Sequence, residues 1–477
     1  MQSAEFRSSL RDLGLSALIP SLEKAGLLSF VPPGHQAANS RKALTRTFPR
    51  QIAILAVLLA AGAARAADTS AAAVEPERTF EVRQLGAAGD GKADDTSAIQ
   101  RALDRCGQAG GGSVCFAPGI YWSKPLFLRS HTTLRLEAGA ILKATDERAD
   151  FADPKRTRGF LAFLNGEGLT NITITGPGAV DGSGARWWGP ALEAKRTNKV
   201  NPGYTLPRPR LIFLSRCQGV VVTNVTLSNS PCFHLVPSEC EDVLIENVRI
   251  IAPADSPNTD AIDPSASRHV RISRCLLDVG DDNVAIKSGR AVAGRAAASE
   301  DIVITDCTCL HGHGISIGSE TAGGVRDVTV QRCTFQDTDN GIRIKSPRGK
   351  GGTVENCTYR DITMTNVDPA ITFTCYYPKV PKEDPAQPLT PRTPVFRNIR
   401  ITNLNATCPR AAGLIVGLPE SPISGLVLEN VKISAATTGL DIRNAKGVRF
   451  QNVRVTAGKG RPYLVENAQV EGLEQSQ

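Results

Sequence analysis

Methionine is nearly absent from this 477-residue chain, which holds 2, and no apolar run reaches the roughly 20 residues that a membrane-spanning helix needs. Little methionine beside 43 glycines and many Asn and Thr residues suits a β-rich protein with frequent turns. The short apolar run Ile52–Ala61 follows Arg41, Lys42, Arg46 and Arg50 and ends in Ala64-Arg65-Ala66. That order is a basic segment, an apolar segment and a small-residue cleavage site, which reads as a secretory signal peptide over residues 44–66. Cleavage is expected after Ala66. Residues 1–43 are then expected to be either an upstream extension, with translation starting near Leu44 or another alternative start codon, or a short cytoplasmic pre-segment. Strong net charge is missing as well. Residues 1–66 carry eight Lys/Arg and three Asp/Glu of the chain's 55 and 47, so the formal +8 falls to about +3 beyond them. A nucleic-acid partner is therefore not implied.

Cysteine is present, with 12 residues, enough for six bridges in an exported protein. The local pattern argues against that number. Val-Thr-Asn-Val (222–225) and Ile-Glu-Asn-Val (245–248) end in an inward valine, and the same slot later holds Cys275, Cys307, Cys333 and Cys357. Cysteine in that slot is a small core hydrophobe. Cys106 and Cys115, flanking a glycine-rich turn, are the candidates for a disulfide.

From Thr79 the chain passes through Gly-Asp-Gly and Asp94-Asp95-Thr96 into Ala98, Ile99, Ala102, Leu103 and Cys106. This i, i+3, i+4 spacing after cap-forming residues predicts a short amphipathic helix that covers the end of a solenoid. Short β runs follow at intervals of about 22–32 residues, many ending x-Asn/Arg/Asp-Val/Cys-x-Leu/Ile. The period is too short for a propeller blade and lacks a leucine-rich signature. It predicts an all-β fold, a right-handed single-stranded parallel β-helix of about nine to ten coils over residues 67–477, with Asn ladders at one turn. Two segments interrupt the repeat, 182–210 with Trp187-Trp188, and 376–394 with Tyr376-Tyr377. Both are expected to border a cleft, and the tryptophans offer either a sugar-stacking surface or loop packing. The repeat fades after about Ala457.

Four polar clusters follow one another at coil spacing: Asn258-Thr259-Asp260, Gly280-Asp281-Asp282, Gly312-His313-Gly314 and Arg343-Ile344-Lys345. Alone, an Asp-Asp pair is usually a turn, and Arg-x-Lys a solvated strand face. In order on adjacent coils, about 4.8 Å apart, they become one column. Three carboxylates so close cannot all ionise easily, so one retains a proton for a leaving group. A diagonal step of roughly 7–8 Å between donor and base falls in the inverting range of glycosidases. Arg343 and Lys345 lie on one side of a strand with Ile344 inward, and offer a fork and a point charge to a sugar carboxylate.

At these residues the sequence resembles glycoside hydrolase family 28, the polygalacturonases, from about Phe80 to Asn452. The resemblance implies Asp281 as general acid, Asp260 and Asp282 as the water-activating pair, and His313 in support. It further implies Asn258, Arg343 and Lys345 in substrate binding, with Tyr377 as a subsite tyrosine for which Tyr376 competes. Ala261 and Asn283 stand where that family commonly has Gly and Cys. No cofactor and no metal are implied. The expected partner is polygalacturonate or pectin oligosaccharide, with no nucleic acid and no membrane after signal cleavage, and the chain is expected to act as a secreted or periplasmic monomer. Hydrolysis of rhamnogalacturonan or xylogalacturonan, and a Ca²⁺-dependent β-helical polyuronate lyase, remain as alternatives, as does a carbohydrate-binding β-helix without turnover.

Overall fold

The computed structural model describes residues 78–154, 159–197, 206–289 and 298–473. The expected signal peptide and upstream extension lie outside them. Strands pair in parallel from coil to coil and wind into a right-handed β-helix. One face stacks Thr79–Glu81, Gly112–Phe116, Thr132–Leu136 and Thr170–Thr175, then continues through Gln218–Thr223 and Glu241–Glu246. A second runs through Gly119–Ser123, Ala140–Ala144, Ala179–Asp181 and Thr226–Ser228.

The third face carries the polar clusters. Its register joins Leu126, Leu164, Ile212, Leu235, Ile262, Val284, Ile315, Ile342, Ile371, Gly413, Leu440 and Tyr463 in one line. That is twelve levels, more than the nine or ten coils the repeat suggests. The difference lies at the ends, where inserted segments stretch the first levels apart and the last strand, Tyr463–Glu471, has lost the repeat signature.

The repeat signature has a conformational cause. Asn224, Asn247, Arg274, Asp306, Arg332 and Asp361 all have φ between 50° and 59°. A left-handed residue here turns the chain from the first face to the second. Asn and Asp tolerate that region better than other non-glycine residues, so they recur. Stacking then brings their side chains together: Asn247 donates to Asn224 at 2.7 Å, Asn403 to Asp361 at 2.8 Å and Asn452 to Asn430 at 2.9 Å. The residue after each bend drops into the core. Val225, Val248, Cys275, Cys307, Cys333 and Ile362 are each no more than 2 % exposed, whereas Cys357, expected in this slot, instead pairs with Val328 inside the first face. All four thiols reach the carbonyl two residues earlier, as Cys307 Sγ does to Thr305 O at 3.4 Å.

Helix α1, Thr96–Gln108, buries the five residues its spacing marks. Asp94 Oδ1 accepts the Thr96 amide at 3.0 Å, while Asp95 turns back to accept the Ala88 and Gly89 amides. The helix packs on the first strands and covers the N-terminal end of the core. No disulfide joins Cys106 to Cys115. Cys106 lies on the buried side of α1 and accepts from Thr132 Oγ1, while Cys115 reaches Ser113 O.

Segment 182–210 is not a plain loop. Ala185–Thr197 forms helix α2. Trp187 is buried edge-on against Phe151 and Phe160, and Trp188 donates its indole N–H to Ser230 O at 3.1 Å. Trp188 lines a depression with Trp122 and Asp181 of the second face, away from the polar clusters. The tryptophan pair is therefore not a sugar-stacking surface of the cleft.

Cys307→Ser should lower the unfolding free energy by about 1–3 kcal/mol through burial of a hydroxyl. Cys307→Val, the residue type of earlier coils, should cost less. Denaturant titration measures both, and a reductant should leave the midpoint of the unsubstituted chain where it is.

Candidate active site

The clusters converge because each sits at the entry to a third-face strand. The His234 amide bonds Asp260 O, the Ala261 amide bonds Asp282 O, and the His313 amide bonds Asp281 O, at 2.8, 2.9 and 2.9 Å. Two glycines let these coils close up. A Cβ on Gly280 would stand 2.2 Å from Ser256 O, and one on Gly314 would stand 2.1 Å from Gly341 O.

Asp282 is the electrostatic centre. Its Oδ1 takes the Arg343 guanidinium and the Ser316 hydroxyl at 2.9 Å, and its Oδ2 takes Lys345 Nζ at 3.0 Å. Arg343 also donates to Ser316 Oγ at 2.8 Å. Register explains the meeting, since Ser316 pairs Arg343 and Gly318 pairs Lys345 on the next level. Burial pushes the Asp282 carboxyl up, but Arg343 and Lys345 outweigh it and hold the group below the usual carboxylate range. Both cations, 8 % and 5 % exposed, thus already serve a carboxylate of the protein.

Asp260 lies in a second group that the sequence reading omits. Lys287 Nζ stands 3.3 Å from Asp260 Oδ2 and 2.5 Å from Asp263 Oδ2, and 4.3 Å from the centroid of the Phe233 ring. One ammonium serves two buried carboxyls. Burial, with mutual repulsion, wins at Asp260, which is raised well above its ordinary value, while burial lifts Asp263 to about 6 against the pull of Lys287. Neither Oδ1 has a hydrogen-bond partner among the described residues. Alternation in Val284-Ala-Ile-Lys already places Lys287 on the outer side of its strand. What the sequence does not carry is the register that brings Lys287 beside Ser265 and so beside Asp263.

Asp281 is the most exposed of the three predicted carboxylates, its side chain 20 % accessible against 4 % for Asp260 and 3 % for Asp282. Its Oδ1 lies 3.1 Å from His313 Nδ1 and accepts the Asp282 amide, and its Oδ2 accepts Asn258 Nδ2 at 3.3 Å. Burial raises this carboxyl, but its bond to His313, with the charges of His313 and Lys345, holds it below the ordinary value. Asn258 is held in turn by Arg208, which donates to its Oδ1 at 2.8 Å and to Pro231 O and Pro257 O.

Tyr377, 42 % exposed, lies with its ring centroid 5.2 Å from Lys345 Nζ. Tyr376 instead anchors the loop, donating to Asp384 Oδ2 at 2.5 Å. Arg348 binds both Asp384 and Glu420, which pins segment 376–394 beside the site. Asp281, Asp282 and His313 lie close enough together to share an ion. Two cations already occupy the Asp282 oxygens, however, and that charge balance does not suit a divalent metal.

Lys287→Met should cost about 3 kcal/mol at pH 8, because it leaves Asp260 and Asp263 buried without their cation. Both carboxyls have raised folded-state pKa values, so the deficit should grow as pH rises through about 6 and shrink below it. Urea titrations at pH 5 and pH 8 measure this, and an equal loss at both would mean that charge pairing is not the cause.

The model of glycosyl hydrolases family 28 matches residues 126–458, and a rhamnogalacturonase A/epimerase, pectate lyase-like model matches residues 79–156. A polygalacturonase of Chamaecyparis obtusa is 32 % identical over 397 residues, covering 80 % of this chain and 73 % of that one. An endo-polygalacturonase of Pectobacterium carotovorum subsp. carotovorum is 36 % identical over 304 residues, covering 60 % and 72 %. The exopolygalacturonase structure from Thermotoga maritima superposes with a TM-score of 0.67 at 26 % identity, over 80 % of this chain and 93 % of that one. Motifs, fold and similarity agree: this chain belongs to the glycosyl hydrolases of family 28.

Proposed function

We propose that this hydrolase is exported and cleaves α-1,4 bonds between galacturonosyl units of polygalacturonate with inversion, Asp281 giving the proton and Asp260 with Asp282 activating water. The observation that carries this reading is the gathering of three carboxylates on one face, Asp282 against Arg343 and Lys345, Asp260 against Lys287 and Asp281 beside His313. Acid and base groups are thereby set among cations that an anionic sugar requires. The names of the relatives, polygalacturonases of plants and bacteria, support the substrate. The basic and apolar leader supports export, and among the described residues no helix is long and apolar enough to cross a membrane.

In the ligand-free chain burial raises the Asp260 carboxyl well above its ordinary value, while the bond to His313 holds that of Asp281 below it. Substrate changes that balance. A galacturonate carboxylate beside Arg343 and Lys345 adds negative charge and expels water, and both raise the pKa of the accessible Asp281. In its ionised form beside Lys287, Asp260 is the stronger base of the remaining pair, and its Oδ1, without a hydrogen-bond partner among the described residues, is the atom that would hold the attacking water. Asp282, fixed by Arg343, Ser316 and Lys345, orients rather than titrates. Tyr377 would then flank the sugar held at Lys345.

The raised pKa of Asp260 favours one second reading, in which Asp260 is the proton donor. A uronide with an acidic phenol as leaving group separates the two. Loss of the acid is compensated by a leaving group that needs no proton, and loss of the base is not. Asp281→Asn should therefore recover most of its rate on the aryl substrate while Asp260→Asn stays slow, and the reverse pattern would exchange the roles.

On polygalacturonate with EDTA, reducing ends should rise while ultraviolet absorbance stays flat, and Asp281→Asn should slow this about 10²–10⁴-fold. Rising absorbance, or loss of activity to EDTA, would instead mean elimination by a metal-dependent lyase.

A further inference from the structure

A cavity of about 720 Å³ continues the third face toward the N-terminus, beyond Asp260. Phe127, Asn165 and Phe213 occupy one in-register row of its floor. Basic side chains line it, and three of the four have assigned partners. Arg129 pairs with Asp104, Arg216 with Glu167, and Arg208 holds backbone carbonyls and Asn258. Arg210 differs. It is half-buried, its guanidinium carbon is 4.8 Å from the centroid of Phe213 and 5.7 Å from that of Phe233, and among the described residues it makes no ion pair. The same Phe233 ring has Lys287 Nζ 4.3 Å from its centroid, which places Arg210 one aromatic ring away from the Asp260 group.

The backbone ladder fixes its distance along the axis. The Leu211 amide bonds Phe233 O, and the His234 amide bonds Asp260 O. Arg210 therefore lies two levels before Asp260, about 10 Å along the axis at the ordinary strand spacing. Arg343 and Lys345 stand on the other side of the carboxylates. A chain lying along the axis across the cluster passes both cationic places.

We propose that Arg210, held between Phe213 and Phe233, forms a second uronate-binding site, so that the cleft requires acidic sugars on both sides of the cleaved bond. This rests on the polygalacturonate reading above and narrows it. A backbone that alternates galacturonate with a neutral sugar presents fewer carboxylates to the two places, whereas an unbroken galacturonan can fill both. A planar guanidinium suits a carboxylate through two parallel hydrogen bonds, and contact with the two rings limits the freedom of this cavity-lining side chain.

The test uses the Asp281→Asn chain, which binds without turnover, and calorimetry with tetragalacturonate and with its full methyl ester. Arg210→Gln should weaken tetragalacturonate binding about 10-fold, as loss of one partly exposed charge-assisted contact does. It should weaken binding of the ester far less, and Arg210→Lys should keep part of the affinity. Equal weakening for acid and ester would mean that Arg210 only supports the cavity wall and would overturn the site, as would unchanged affinity for the acid. Failure of the Asp281→Asn chain itself to bind tetragalacturonate would overturn the polygalacturonate reading along with it.

Discussion

Parallel stacking at one strand spacing is the constraint on which everything else depends. Equivalent residues of successive coils stand about 4.8 Å apart whatever their chemistry. In the interior this yields stacked slots that side chains of similar size can share, and in the one that runs Val225, Val248, Cys275, Cys307 and Cys333 cysteine replaces valine without a bridge. At the turns it lines up left-handed Asn residues so that each amide bonds the next. On the outer side of the third face the same spacing forces like charges together.

That crowding produces the chemistry. Carboxylates at this spacing are tolerable only with cations between them, and the chain supplies two sets. Arg343 and Lys345 come from one strand two levels beyond Asp282, and Lys287 comes from the strand that Asp282 itself leads into. The division has opposite outcomes. Asp282 receives two cations and stays charged, while Asp260 and Asp263 share one and are pushed toward the protonated form. One column therefore holds an anchored anion, Asp282, beside carboxyls raised by burial, an asymmetry of the kind on which acid–base chemistry draws.

The interruptions of the repeat shape the ends of the cleft. Segment 376–394 is tied by Arg348 to Asp384 and Glu420, which sets Tyr377 beside Lys345. The stretch after α2 brings Arg208 to Asn258 and Arg210 to the aromatic pair on the opposite side. The inserted pieces thus act at the cleft mainly through arginines, whereas Trp187 went to packing.

Period, apolar alternation and turn residues were enough to determine the solenoid, the helix over its end and the inward cysteines, because each depends on interactions between neighbours in sequence or one coil away. The motif positions 258–260, 281–282, 313 and 343–345 were legible for the same reason, as polar residues recurring beside apolar strands. The tertiary structure alone decided which charges meet. Lys287 reaches Asp263 through a register that the uneven coil lengths conceal, and the Asp260 carboxyl is raised while that of Asp281 is lowered because Asp260 is the more deeply buried and shares its cation, whereas Asp281 bonds His313. The twelve levels, the fate of the tryptophans and the exposure of Arg210 likewise follow from where inserted segments fold back. Long-range packing sets that, and no local pattern in the chain records it.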